Sequence, residues 1–115
     1  MNDPQCLFCR IVAGEIPATV QARDGGFFAF HDIAPKSPVH VLVIPERHVA
    51  SIAGVDGLSE AERAGMLSFI AEVARGLGLD AGGYRVTTNH GPDARQSVFH
   101  LHWHIMGGAR LSESM

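Results

Sequence analysis

The chain opens on a short apolar stripe. Leu7, Phe8, Ile11 and Val12 recur at helical spacing, and Gly14 followed by the extended Ile16-Pro17 pair ends it, which predicts a brief first helix. Residues 19–22 and 27–30 are short strand-like runs, and Asp24-Gly25-Gly26 between them marks a hairpin. Residues 39–44 form a third strand bounded by Pro38 and Pro45, and His40 falls inside it. The longest helix starts after Ser59. There Ser59-Glu60-Ala61-Glu62 has the form of a capping box, and Met66, Phe69, Ile70, Val73 and Leu77 give the i, i+3, i+4, i+7 stripe. Gly78 fits the position just past its end. Residues 84–88 and 98–106 read as the last two strands, joined by the polar loop 89–95.

Five strands with one long helix between the third and fourth are too few βαβ units for a doubly wound parallel sheet. An α+β domain is expected instead, with an antiparallel sheet and its helices on one side. At 115 residues the chain is most simply one domain spanning 1–115.

A net charge of −3 gives no footprint for a nucleic-acid polymer, although a mononucleotide needs only a few donors. The start, Met1-Asn2-Asp3-Pro4-Gln5, lacks a basic segment followed by an apolar run, and no stretch approaches membrane-spanning length. A soluble cytoplasmic protein with no membrane partner is expected. The two cysteines, Cys6 and Cys9, are too close to staple distant parts of a fold, which suits a reducing compartment and points to metal or redox use.

The last strand carries the chemistry. His100, His102 and His104 alternate with Phe99, Leu101, Trp103 and Ile105, so a strand puts three imidazoles on one face. Imidazole is a nucleophile, proton donor or metal ligand near neutral pH. Asn89, Gln96 and Ser97 lie just upstream as short polar donors able to hold anionic oxygens. A structural histidine cluster and a zinc site built on the strand are the competing readings. No Asp or Glu is spaced as a partner for such a zinc, and an apolar strand preceded by serine favours catalysis. His31, His48 and His90, taken singly, read as solvated or locally hydrogen-bonded imidazoles.

Together these motifs resemble the histidine triad (HIT) proteins, and among them the Hint branch of nucleotide-binding phosphoramidases. The likeness runs through residues 6–17, Phe30-His31-Asp32-Ile33, residues 38–45 and residues 96–104. It implies a five-stranded antiparallel sheet with one long and one or two short helices, paired with a second subunit into a continuous sheet. It also implies a purine nucleotide, AMP- or GMP-like, as ligand. His102 would be the nucleophile that forms a covalent nucleotidyl-histidine, with no cofactor required for catalysis. His104, Ser97, Asn89 and Gln96 would donate to phosphate oxygens, and Ser97 or His104 would protonate a departing amine. His40 would support the triad from a neighbouring strand, and His100 would orient the nucleophile. Leu7, Phe8, Ile11, Phe30, Ile33 and Leu42 map onto the apolar base slot, where Phe8, Phe30 and Leu42 also read as plain core. Asp32 maps onto the ribose acceptor, a role in which a carboxylate takes two hydroxyl donors.

Some bacterial members hold a structural zinc, and Cys6, Cys9, His48 and His100 match its ligands. The rival reading is a pair of reduced, metal-free thiols; a redox pair is disfavoured because no strand precedes the motif. His104, where nucleotidyltransferase members carry glutamine, and Met106-Gly107-Gly108 after it favour hydrolysis of a purine nucleoside 5′-phosphoramidate at its P–N bond. Dinucleoside polyphosphate hydrolysis, or nucleotide binding by a regulatory scaffold with little catalysis, are the alternatives. The chain also departs from the Hint pattern. Arg95 stands where glycine is usual, adding a cation to the phosphate loop and removing φ freedom.

Overall fold

The computed structural model describes residues 3–113; the outermost residues of the expected 1–115 domain, Met1, Asn2, Ser114 and Met115, lie outside it. The elements run α1 (Leu7–Val12), β1 (Val20–Asp24), β2 (Phe27–His31), β3 (Val39–Pro45), a 3-10 turn (Ile52–Gly57), α2 (Glu60–Gly76), β4 (Tyr84–Thr87), a second 3-10 turn (Pro92–Ala94) and β5 (Trp103–Gly107). The strands form one antiparallel sheet in the order β1-β2-β3-β5-β4. The expected α+β class and five-stranded sheet are therefore present. Among the described residues no helix is long and apolar enough to cross a membrane.

Helix α2 begins as its capping box dictates. The Ser59 hydroxyl accepts from the Glu62 N–H at 3.0 Å, and the Glu62 carboxylate accepts from the Ser59 N–H at 2.8 Å. That backbone bond from Ser59 is the main reason the Glu62 carboxyl is held below its ordinary range, with Arg47 adding to it. At the other end Leu77 caps the helix and Gly78 turns the chain at φ 76°, a left-handed value that glycine adopts without a Cβ clash.

Strand alternation divides the interior in two. Phe27, Ala29, Val41, Val43 and Ile105 point to one face, where α2 covers them with Met66, Phe69, Ile70 and Val73. Phe28, Phe30, Leu42 and Ile44 point to the other, where α1 brings Phe8, Cys9, Ile11 and Val12. The helices thus lie on both faces, not on one. Six residues suffice for α1 because nearly all its apolar positions are buried against strand side chains.

The triad segment is not a strand throughout. It is strand only from Trp103, so His104 alone of the three histidines lies in β5. Ladder pairing is pre-empted upstream: the Leu101 N–H donates to the Val49 carbonyl at 2.7 Å, and the Thr88 hydroxyl donates to the His102 carbonyl at 2.6 Å. Leu101 is nevertheless fully buried in the α2-side core, so the apolar half of the alternation persists without a ladder.

Candidate functional site

His40 and His104 share the α1 face because each is in phase with Leu42, which pairs directly with His104. His40 pairs with Met106, one diagonal step away, and the two rings meet with Nε2 of His40 2.9 Å from Nδ1 of His104. The loop after β2 decides which nitrogen donates. The Lys36 N–H donates to Nδ1 of His40 at 3.0 Å, so a neutral His40 carries its proton on Nε2 and donates it to His104. A neutral His104 must then carry its proton on Nε2. Asp32 stands beside this pair, its carboxylate 3.5 Å from Nε2 of His40 and accepting from the Ala34 N–H at 2.8 Å.

Burial disfavours the charged form of both imidazoles. Burial, then the neighbouring His102 and His40, lowers His104 to about 4, against which Asp32 pulls the other way. Burial also lowers His40, opposed by Asp32. In this state His104 is a hydrogen-bond donor that carries no charge.

His102 has the opposite tautomer. Its Nδ1 donates to the carbonyl of His100 at 2.8 Å, which leaves a lone pair on Nε2. Phe8 packs edge-on against the ring at 5.1 Å between centroids, and His104 lies 5.2 Å away on another side. A held imidazole with a lone pair on one nitrogen beside an N–H donor can attack an electrophilic centre and stabilise the charge that develops there.

His100 looks away from this group. Its Nε2 donates to the Pro45 carbonyl at 2.8 Å, so its Nδ1 lone pair faces Cys6 Sγ at 3.4 Å, Cys9 Sγ at 3.5 Å and His48 Nδ1 at 3.2 Å. Burial lowers His100 to about 4, so it too is neutral. The ligand atoms of Cys6, Cys9, His48 and His100 all lie within 4.8 Å of one another. The Cys9 N–H donates to Cys6 Sγ at 3.4 Å, and the Asp3 N–H donates to Cys9 Sγ at 3.4 Å. Two sulfurs and two imidazole nitrogens converging in this way match a tetrahedral structural zinc. Asp32, His40 and His104 also converge, but there the facing nitrogen of His40 carries a proton rather than a lone pair.

The remaining expected residues divide. Phe8, Ile11, Phe30 and Leu42 are buried together behind the triad. Ser97 lines a cavity of about 390 Å³ with Leu7, Cys6, His48, Val98 and Phe99. Asn89 follows β4, whose Thr87 pairs with His104. Ile33 stands fully in solvent and joins no apolar slot within the chain. The Gln96 side chain is fully engaged by backbone: it donates to the Ala50 and Val98 carbonyls and accepts from the Gly91 N–H, so it braces the loop. Lys36, Pro45 and Thr88 were not foreseen. Lys36 and Pro45 act through main-chain atoms, which leave no residue-type signal, and the Thr88 hydroxyl is indistinguishable in sequence from any strand-end threonine.

Comparison with known proteins agrees with this architecture. A family model described as HIT domain matches residues 13–111. An uncharacterized 13.2 kDa HIT-like protein of Azospirillum brasilense is 44% identical over 113 residues, covering 95% of this chain and 90% of that one. Among solved structures, a HIT family hydrolase from Clostridium thermocellum superposes with a TM-score of 0.91 at 36% identity, over 99% of each chain. A histidine triad nucleotide-binding protein from Candida albicans gives 0.80 at 28% identity, over 96% of this chain and 86% of that one.

Proposed function

Because the chain belongs to the HIT domain family, we propose that it is a nucleotide-binding hydrolase that cleaves purine nucleoside 5′-phosphoramidates at the P–N bond. The observation that carries this reading is the pair of opposed tautomers: His102 presents a lone pair and His104 an N–H on adjacent rings. Nε2 of His102 attacks phosphorus and the P–N bond breaks. A nucleotidyl-histidine forms, and the amine leaves with a proton taken from solvent and relayed through Ser97 or His104. Water then attacks phosphorus, releasing the nucleoside monophosphate, returning that proton to solvent and restoring His102. Negative charge on the non-bridging oxygens is met by Nε2–H of His104, with Ser97 and Asn89 as further donors. Asp32 receives the ribose hydroxyls, and Phe8, Ile11, Phe30 and Leu42 form the floor beneath the base.

The Cys6, Cys9, His48 and His100 cluster holds a structural zinc in this reading, supported by its donor set and spacing. When bound, the ion ties α1 to the segment that carries the nucleophile; the chemistry at phosphorus belongs to the side chains. A homodimer is part of the same reading and is checked by scattering in solution.

The decisive experiment incubates the protein with adenosine 5′-monophosphoramidate and with a dinucleoside polyphosphate, following product release and trapped nucleotidyl-protein. Faster release from the phosphoramidate, with label on His102 and loss of turnover but not of nucleotide binding in His102→Ala, is expected. Retained turnover in His102→Ala overturns the mechanism.

A further inference from the structure

Arg95 combines two properties that do not occur together elsewhere among the described residues. At φ 61° and ψ 36° it is their only non-glycine residue in the left-handed region, where a Cβ crowds the following carbonyl. It is also exposed, with no ion pair or side-chain hydrogen bond among the described residues, even to Asp93 in the same turn. Arg10, Arg23, Arg47, Arg63 and Arg75 each meet a carboxylate and Arg85 donates to the Ser112 carbonyl, while Arg110, near the end of the described residues, is exposed like Arg95 but not in the left-handed region. The backbone around Arg95 is not loose. Its N–H donates to the Pro92 carbonyl, the Gln96 N–H donates to the Gly91 carbonyl, and the Gln96 amide pins the loop to Ala50 and Val98. A strained residue in a braced loop that leaves its guanidinium unpaired is a candidate for ligand contact.

The register places the loop that carries Arg95 relative to the histidines. Asp32 follows β2 and lies level with His40, whose carbonyl accepts from its N–H, below His104 on the α1 face. Loop 89–97 follows β4, which pairs with β5 at Thr87 and His104 and then runs on in the opposite direction. Asp32 and the start of the loop at Asn89 therefore flank His104 from opposite sides, both across the sheet and along its strands. A substrate with its ribose at Asp32 and its phosphorus at His102 and His104 carries its remaining substituent toward the loop that holds Ser97 and Arg95.

We infer that Arg95 is a specificity-determining residue, recognising an oxyanion on the leaving part of the substrate. This rests on the proposed phosphoryl chemistry and deepens it. A guanidinium two residues from Ser97 is matched to a planar carboxylate or a second phosphate and gains nothing from a neutral amine. Two sources offer that chemistry: an amine bearing a carboxylate, or a polyphosphate.

The test compares wild type, Arg95→Gly and Arg95→Lys. Substrates are the unsubstituted adenosine phosphoramidate, one whose amine bears a carboxylate, and a dinucleoside polyphosphate. Arg95→Gly is expected to lower kcat/KM for an oxyanion-bearing substrate about fivefold relative to the unsubstituted one, the span of an exposed ion pair. Raised salt should shrink that ratio, and Arg95→Lys should recover part of it. Whichever of the two anionic substrates shows the change identifies the source. In parallel, calorimetry compares AMP with ADP: wild type should favour ADP more than Arg95→Gly does, without reliance on turnover. A thermal midpoint of Arg95→Gly at or above wild type shows that its losses are not unfolding. Equal effects on all substrates, together with equal ADP preference in both proteins, overturn the inference. If wild type turns over no phosphoramidate but Arg95 still sets the ADP preference, the reaction assignment fails and the role of Arg95 stands.

Discussion

Nε2 of His40 lies 2.9 Å from Nδ1 of His104, and that contact decides which nitrogen of His104 faces outward with a proton. The chain of donation begins at a main-chain N–H, that of Lys36, which cannot change its protonation state. His40→Ala therefore frees His104 to adopt the other tautomer, in which Nε2 holds a lone pair. Turnover of a phosphoramidate should fall about 10- to 100-fold, chiefly in kcat, the scale of one misplaced acid–base group. Nitrogen chemical shifts should show His104 protonated at Nε2 in wild type and mixed in the variant; an unchanged tautomer would remove His40 from this role.

Neutral His104 has a cost in acid. The groups facing it are His102, His40, Asp32 and Lys36, and burial outweighs them in lowering its pKa from 6.5 to about 4. In the unfolded chain the same imidazole binds a proton at its ordinary pKa, so between these values the unfolded state holds more protons. Stability should be full above about pH 6.5 and fall as pH drops toward 4. Denaturant midpoints measured across that window check this, and His104→Gln should flatten the slope. An unchanged slope in His104→Gln would contradict it.

Metal content gives an independent measurement. Protein purified without added metal or chelator should carry one zinc, and Cys6→Ser or Cys9→Ser should lose most of it. Free zinc at about 1,000 times its dissociation constant adds roughly 4 kcal/mol of stability, so a chelator should lower the thermal midpoint markedly. Absent zinc with both thiols intact would refute the assignment.

Two structural substitutions calibrate the rest. Ile105 is fully buried in the α2-side core, and Ile105→Ala should cost about 2–5 kcal/mol as a cavity. Ser59→Ala breaks the capping box and should cost about 1 kcal/mol, read from denaturant midpoints. Equal costs at the two positions would count against the burial difference between them.

Much of this architecture was readable in the chain because local rules and tertiary packing agree. The capping box at Ser59, the stripe on α2 and Gly78 after it all stand where pattern places them, since burial against the sheet rewards the same residues. Residues 98–102 alternate with period two, which normally means a ladder, yet they form none. Here Val49 and Thr88 take the backbone groups that a ladder would use. Helices on both faces were not legible either, because a six-residue helix carries too few positions to show which sheet face it covers. At the site, residue types announced histidine chemistry but not its division. That division follows from acceptors and donors on the main chains of Lys36, Pro45 and His100, atoms that almost any residue type supplies, proline at position 36 excepted.

The phase of β5 has a further consequence. Trp103 and Ile105 point to α2 while His104 and Met106 point to α1, and the neighbouring strands pair with each in register. Insertion of one codon within Trp103-His104-Ile105 would exchange these sets, driving an imidazole into the apolar side and an isoleucine beside His40. Point substitutions can grade activity in small steps, but a length change here removes fold and chemistry together. Diversity introduced into this protein by insertion belongs in the β1–β2 turn or after Gly108, where the phase of the central strands is not at stake.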